Sequence, residues 1–260
     1  MAVDLNQVTE AYPGWQARWG AEQLLFAAQG NDLEFSLKSD KIPADGFGQP
    51  VKNTLPGMAE ASLKAKGMAA MEKGASTWQM RQWQGRKSPV NTWWAMQGGL
   101  QLLQPMSFMP ASVNDTSTTA KLKDPVDASY EFDARGAYYD GTILLSPWNL
   151  LVGASGSGSV DLNTLYGGAT TSGGAGVLHV WAYDGGTTPS VTVTIQHSPD
   201  GTTYTNLVSF AAQTTLGSQL IKVPSGITIN PYVQAIWTTS GTPTDVQVLC
   251  GFARVPNLNV

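Results

Sequence analysis

The chain has 260 residues, enough for one or two domains; 42% are hydrophobic and only 13% charged, against a usual charged share of about 25%. This balance excludes a disordered chain and a long charged coiled coil, no apolar run approaches the roughly 20 residues that span a bilayer, and the single Cys250 excludes an intrachain disulfide or a multi-cysteine zinc site. The net charge of −4 is uneven: residues 1–125 carry 12 cations and 11 carboxylates, and residues 126–260 carry three cations (Arg135, Lys222, Arg254) and eight carboxylates, so no basic stripe can clamp a phosphate backbone.

Met1 to Glu10 shows no basic region followed by an apolar run, so no signal peptide and no membrane insertion are expected. Pro13-Gly14 marks a turn, and the Trp15, Trp19 and Leu24 region that follows is expected as a short helix or an arm laid over a neighbour. In residues 31–39 Leu33, Phe35 and Leu37 alternate with polar residues, the period of a half-buried strand. Residues 40–57, with three prolines and three glycines, are expected as one loop, long enough to suggest a function. Residues 58–69 then place Ala61, Leu63 and Ala65 on one face of a strand, with a helix as the alternative. Residues 76–84 suit a helical turn capped by Ser76 or Thr77.

From Asp127 the texture changes to Gly, Thr, Ser and Val, and charge nearly disappears. Strands are expected at 129–132, 142–145, 177–183, 190–197, 203–210, 219–223, 232–238 and 245–254, separated by Gly-, Ser- and Pro-rich turns. Val191, Val193 and Ile195 face one side of their strand and Thr192, Thr194 and Gln196 the other. The fold class is therefore mainly β: an antiparallel sandwich or barrel in the N-terminal part (1–145) with one short helix, followed by a second, Gly/Thr/Ser-rich sandwich (146–260). Lysine-poor strands leave edges that would aggregate unless subunits pair them.

Little in the chain suits catalysis. The Gly-Ser stretch 153–159 lacks the Gly-Lys-Ser/Thr ending of a phosphate loop, and 173–177 lacks dinucleotide spacing, so both are expected as flexible surface loops. His179 and His197 have no His or Cys at metal-ligand spacing and read as strand histidines. Asp133, Asp140 and Asp161 lack a calcium-loop pattern and read as solvated loop carboxylates. Asp200-Gly201 is hairpin-turn chemistry, and Cys250 sits among apolar neighbours as a buried, inert thiol. No catalytic residue, cofactor or metal site is expected. Trp148, Trp181 and Trp237 could form a sugar-stacking platform, or Trp181 and Trp237 could be core.

Two blocks resemble the major tail tube proteins of long-tailed bacteriophages. One is residues 190–210, VTVTIQH running into SPDGTTYTNLVSF, continued by 231–255; the other is residues 46–67, a Phe-Gly loop, a Pro-Gly and a strand ending in glycine. The resemblance implies a structural virion protein in the phage tail, assembled in the host cytoplasm. Its copies would form hexameric rings stacked into a tube, contacting other tail proteins and letting double-stranded DNA pass without specific binding. It further implies that Phe47 makes the inter-ring contact and that Pro56-Gly57 is a hinge into the barrel. The alternative is a decoration or adhesion protein whose C-terminal sandwich binds host-surface glycans through Trp148, Trp181 and Trp237. A carbohydrate-active enzyme would need paired carboxylates, and no motif pairs them.

Overall fold

A computed structural model describes residues 14–19, 22–25, 30–43, 54–69, 76–85, 90–95, 102–120, 126–146, 155–161, 168–184, 189–241 and 245–254. In chain order the elements are β1 (Gly14–Trp19), β2 (Glu22–Leu25), β3 (Gly30–Pro43), β4 (Thr54–Met68), α1 (Ser76–Trp83), β5 (Val90–Ala95), β6 (Pro105–Thr119) and β7 (Asp127–Ala134). There follow β8 (Tyr139–Leu145), β9 (Ser155–Asp161), β10 (Gly174–Asp184), β11 (Ser190–Ser198), β12 (Thr205–Ser209), β13 (Ser218–Val223), β14 (Tyr232–Ser240) and β15 (Asp245–Arg254). The protein is mainly β with one described helix, and every strand pair with a described register is antiparallel.

The chain forms two compact units of interleaved segments. One comprises residues 1–27, 91–108 and 139–256, the other 28–90, 109–138 and 257–260. The chain thus crosses between units several times. Leu144 and Leu145 of β8 belong to the same core as residues far beyond them in the chain.

The first unit holds a two-sheet sandwich. One sheet runs β13-β10-β15-β8 and on through the 105–108 part of β6 to β5, β1 and β2; the other runs β12-β11-β14-β9. Between them pack Leu178 and Val180 of β10, Val248 and Phe252 of β15, Val193 and Ile195 of β11, and Val233 and Ala235 of β14. Each of the Leu, Val, Ile and Phe side chains among these, fully buried, contributes about 1.5–3 kcal/mol. Strand β11 alternates as its sequence dictates, with Val191, Val193 and Ile195 inward. Residues 174–180 of β10 are buried on both faces, so Ala175, Val177 and His179 are as inaccessible as the residues facing the sandwich core. One glycine lets the two sheets approach: a Cβ on Gly176 would lie 2.8 Å from Ile195 Cδ1 of the facing sheet. A Cβ on Gly174 would lie 2.6 Å from the Ala253 carbonyl oxygen of the neighbouring strand β15.

The turn from β11 to β12 is closed by its own side chains. The buried Ser198 hydroxyl donates to Asp200 Oδ1 (2.7 Å) and accepts from the Asp200 and Gly201 amides (3.2 and 3.0 Å). Asp200 Oδ1 also accepts from the amides of Thr202 and Thr203, both at 2.9 Å. These donors, Thr203 and Thr202 first and then Ser198, hold the Asp200 carboxyl far below the usual carboxylate range. Gly201 sits at φ +73°, where a side chain would be strained.

The second unit is a sheet of β3, β4, β7 and the 109–119 part of β6, with α1 on it. Ala61, Leu63 and Ala65 of β4 are buried as the period-two pattern requires, joined by Tyr130 and Phe132 of β7 and Val113 of β6. Met80 and Trp83, one helical turn apart, are buried, while Arg81 and Gln82 are exposed. Gly85 (φ +75°) follows the helix in the left-handed region suited to its C-terminal end. Gln84 Nε2 donates to the carbonyl of Asn114 (3.1 Å), the extra residue of a bulge between Val113 and Asp115.

Several expectations are corrected. Residues 14–19 and 22–25 are neither helix nor arm but paired strands. Residues 58–68 are the strand expected and not its helical alternative, because β3 and β7 flank them. The expected loop at 40–57 is strand at both ends, since β3 runs to Pro43 and β4 begins at Thr54, and its middle lies outside the described residues. The expected Gly-Ser loop at 153–159 is β9 from Ser155 onward, where Gly156 and Gly158 stand opposite Trp237 and Ala235 of β14. The expected loop at 173–177 opens β10, and its glycines serve close sheet packing, not flexibility. Asp133, Asp140 and Asp161 lie in strands β7, β8 and β9 instead of loops.

Candidate functional site

Among the described residues, the face of the second unit's sheet opposite its core carries charge in ordered rows. Register sets it. Glu34 of β3 stands opposite Lys64 of β4, Lys64 opposite Glu131 of β7, and Glu131 opposite Asp115 of β6. One row on, Ser36, Ser62, Asp133 and Ser112 stand in line. Lys38 faces Glu60, and Lys66 faces Asp32.

Every lysine on these strand rows therefore stands directly opposite a carboxylate. Lys64 Nζ lies 3.2 Å from Glu131 Oε1, and that contact raises the lysine pKa, first by hydrogen bonding and then by charge. Such an exposed pair adds little to stability; its consequence is that the cation is already neutralised. Asp133 faces serines on both sides. Partial burial, and then the charges of Glu131 and Glu60, push its pKa up. Arg135, at the end of β7, donates through Nε to Ser112 Oγ. A cleft of about 490 Å³ opens beside it, lined by Gln84, Ser112, Asn114 and Asp133 among others.

The β3–β4 hairpin outruns this sheet. Strand β7 pairs only with Ser62–Met68 of β4, so residues 54–61 pair with β3 alone. Residues 37–43 thus belong to a two-stranded ribbon reaching roughly 23 Å. Such a ribbon is marginal in water without a further partner. Leu37, on it, is 40% exposed. Pro56 and Gly57 sit within β4, where Gly57 and Met58 together oppose Asp40 in a bulge. This is where a residue lacking an N–H is tolerated in a strand. Among the described strands β3 pairs with β4 alone, so its outer edge presents open backbone groups.

The remaining sequence candidates are dispersed. Phe47 and Trp148 lie outside the described residues. Trp181 is the extra residue of a bulge in β10 between Val180 and Ala182. Trp237, on β14, packs against the sandwich core with its indole nitrogen buried. His197 Nδ1 accepts from the Asn230 amide (3.1 Å), and burial lowers its pKa. Sequence reasoning missed the charge rows, because their members come from segments up to about a hundred residues apart; only the period-two placement of Glu34, Lys64 and Glu131 within their own strands hinted at them.

No protein-family model matches the chain, and no curated protein matches it. Among solved structures it is similar to the tail of an empty gene transfer agent particle with C6 symmetry, at 8% identity and TM-score 0.39, over 48% of this chain and 92% of that one. It is also similar to the Dit protein of phage SPP1 (7% identity, TM-score 0.36, 94% and 99% covered). A third similarity is to the phage p2 baseplate in its activated conformation (10%, TM-score 0.34, 94% and 99%). At such identities and TM-scores the likenesses assign no function.

Proposed function

We propose that the chain is a structural protein of a phage tail, a tube-type subunit whose copies close into rings around a passage for double-stranded DNA. One observation carries this reading: a sheet with one apolar face, one face on whose strand rows each lysine is matched by a carboxylate, and an open edge at β3. Pairing β3 with a strand of the next copy removes the open edge and gives the ribbon its partner. Closed cyclic assembly extends the charged face around a lumen. Phosphates there meet an excess of carboxylates and neutralised lysines, so no counterion release holds the DNA. Six copies per ring, and ring-to-ring contact through the segment containing Phe47 with Pro56-Gly57 bending the ribbon, complete the reading. The low overall charge suits a subunit whose surface is largely intersubunit contact.

The experiment is negative-stain electron microscopy with sedimentation velocity on the purified chain and on Leu37→Lys. The expected result is six-fold rings or tubes for the first and their loss in the second. A wild-type chain that stays monomeric at tens of micromolar, or rings indifferent to Leu37→Lys, overturns the β3-edge assembly.

A further inference from the structure

The outer face of the β12-β11-β14 layer carries a row of side-chain amides. Gln196 Nε2 on β11 donates to Asn206 Oδ1 on β12 (2.8 Å), and Gln234 Nε2 on β14 donates to Gln196 Oε1 (2.7 Å). One amide stands on each of three adjacent strands, which are spaced about 4.8 Å apart. Each amide is oriented by its neighbour, and the row ends in the Asn206 NH₂ donors on one side and the Gln234 Oε1 acceptor on the other. Tyr232, two residues before Gln234 and so roughly 7 Å along β14, is half-buried, and its ring edge rests beside Gly201. Strands β11, β12 and β14 contain no Asp, Glu, Lys or Arg. Ordinary exposed sheet faces carry mixed charge. Thr194 flanks the row on the same face.

We propose that this face binds neutral glycans. Hydroxyl pairs of a sugar ring exchange both donors and acceptors, as a pre-ordered amide row does. The apolar face of a pyranose fits an aromatic ring whose rim remains wet. Because the amides already hold one another, binding costs little side-chain ordering. No Asp, Glu, Lys or Arg on the three strands flanks the amides, and Asp161 of β9, opposite Tyr232, disfavours an anionic sugar at that end of the face. This site uses none of the three tryptophans considered from the sequence except through the sheet that carries Trp237, and it is independent of ring assembly.

The test is titration calorimetry of the full chain with cellohexaose, maltohexaose and chitohexaose, alongside the Gln196→Ala/Gln234→Ala and Tyr232→Ala variants. At least one hexasaccharide should bind, and each variant should weaken it about tenfold or more with its melting curve intact. Thr194→Arg, which leaves the amides in place but puts bulk and charge on the row, should also remove binding and covers the case in which the alanine variants misfold. Absence of binding by all three sugars overturns the proposal, as does affinity unchanged in every variant. A change in sedimentation of Gln196→Ala/Gln234→Ala with no change in sugar affinity overturns it too, and identifies the face as a contact between copies.

Discussion

Ser198→Ala tests whether the β11–β12 turn is held by its own side chains. The hydroxyl has no exposure and makes three hydrogen bonds: one donated to Asp200 Oδ1 and two accepted from the Asp200 and Gly201 amides. Alanine keeps the packing volume nearly unchanged but strands two amide donors, at a cost of about 1–3 kcal/mol. Taking about 2 kcal/mol, the midpoint of thermal unfolding falls by roughly 4–8 °C. The substitution also changes the acid response. In the folded chain the Asp200 carboxyl is held below its unfolded value of about 4. Its contribution is therefore fully present above about pH 4 and is lost as pH falls through the folded pKa. Removing the Ser198 donor moves the folded pKa back toward the unfolded one, so the variant loses less on acidification than the wild type does. Circular dichroism melts of both proteins at about pH 7, 4 and 2.5 would reveal both effects. A midpoint within about 1 °C of wild type at neutral pH, or parallel acid losses in the two proteins, refutes the account of the turn.

Gly176→Val should destabilise the sandwich by about 1–3 kcal/mol, because its Cβ would press on Ile195 Cδ1 at 2.8 Å and Phe210 Cζ at 3.2 Å; a melt equal to wild type would show that the two sheets have room between them. Asp115→Lys/Asp133→Lys converts the excess of carboxylate on the charged face into an excess of cation, and should give duplex DNA retention that weakens with salt by about 0.9 log units per contact made per tenfold salt; gel shifts identical to wild type would remove that face from the DNA passage. Cys250 is fully buried and burial pushes its thiol pKa up, so a maleimide should label it only after denaturant is added, with the extent of labelling read by mass spectrometry.

Period and turn chemistry alone determined much of this protein. The alternation of Val191, Val193 and Ile195 places β11 and its inward face. Ala61, Leu63 and Ala65 do the same for β4, and Ser-Pro-Asp-Gly specifies a hairpin whose hydrogen bonds close within a few residues. Such features depend on neighbours in the chain, so they are legible without the fold. Tertiary structure decided the rest, because those outcomes depend on a partner distant in sequence. Ser-Gly repeats become strand β9 only through pairing with β14. The Pro- and Gly-bearing ends of the 40–57 segment become ribbon only because β3 and β4 align there. Likewise, the Glu34–Lys64–Glu131–Asp115 row and the Asn206–Gln196–Gln234 row exist only in the register of four and three strands. A register slip of a single residue would turn every one of those side chains to the opposite face, and no local signal reports on it.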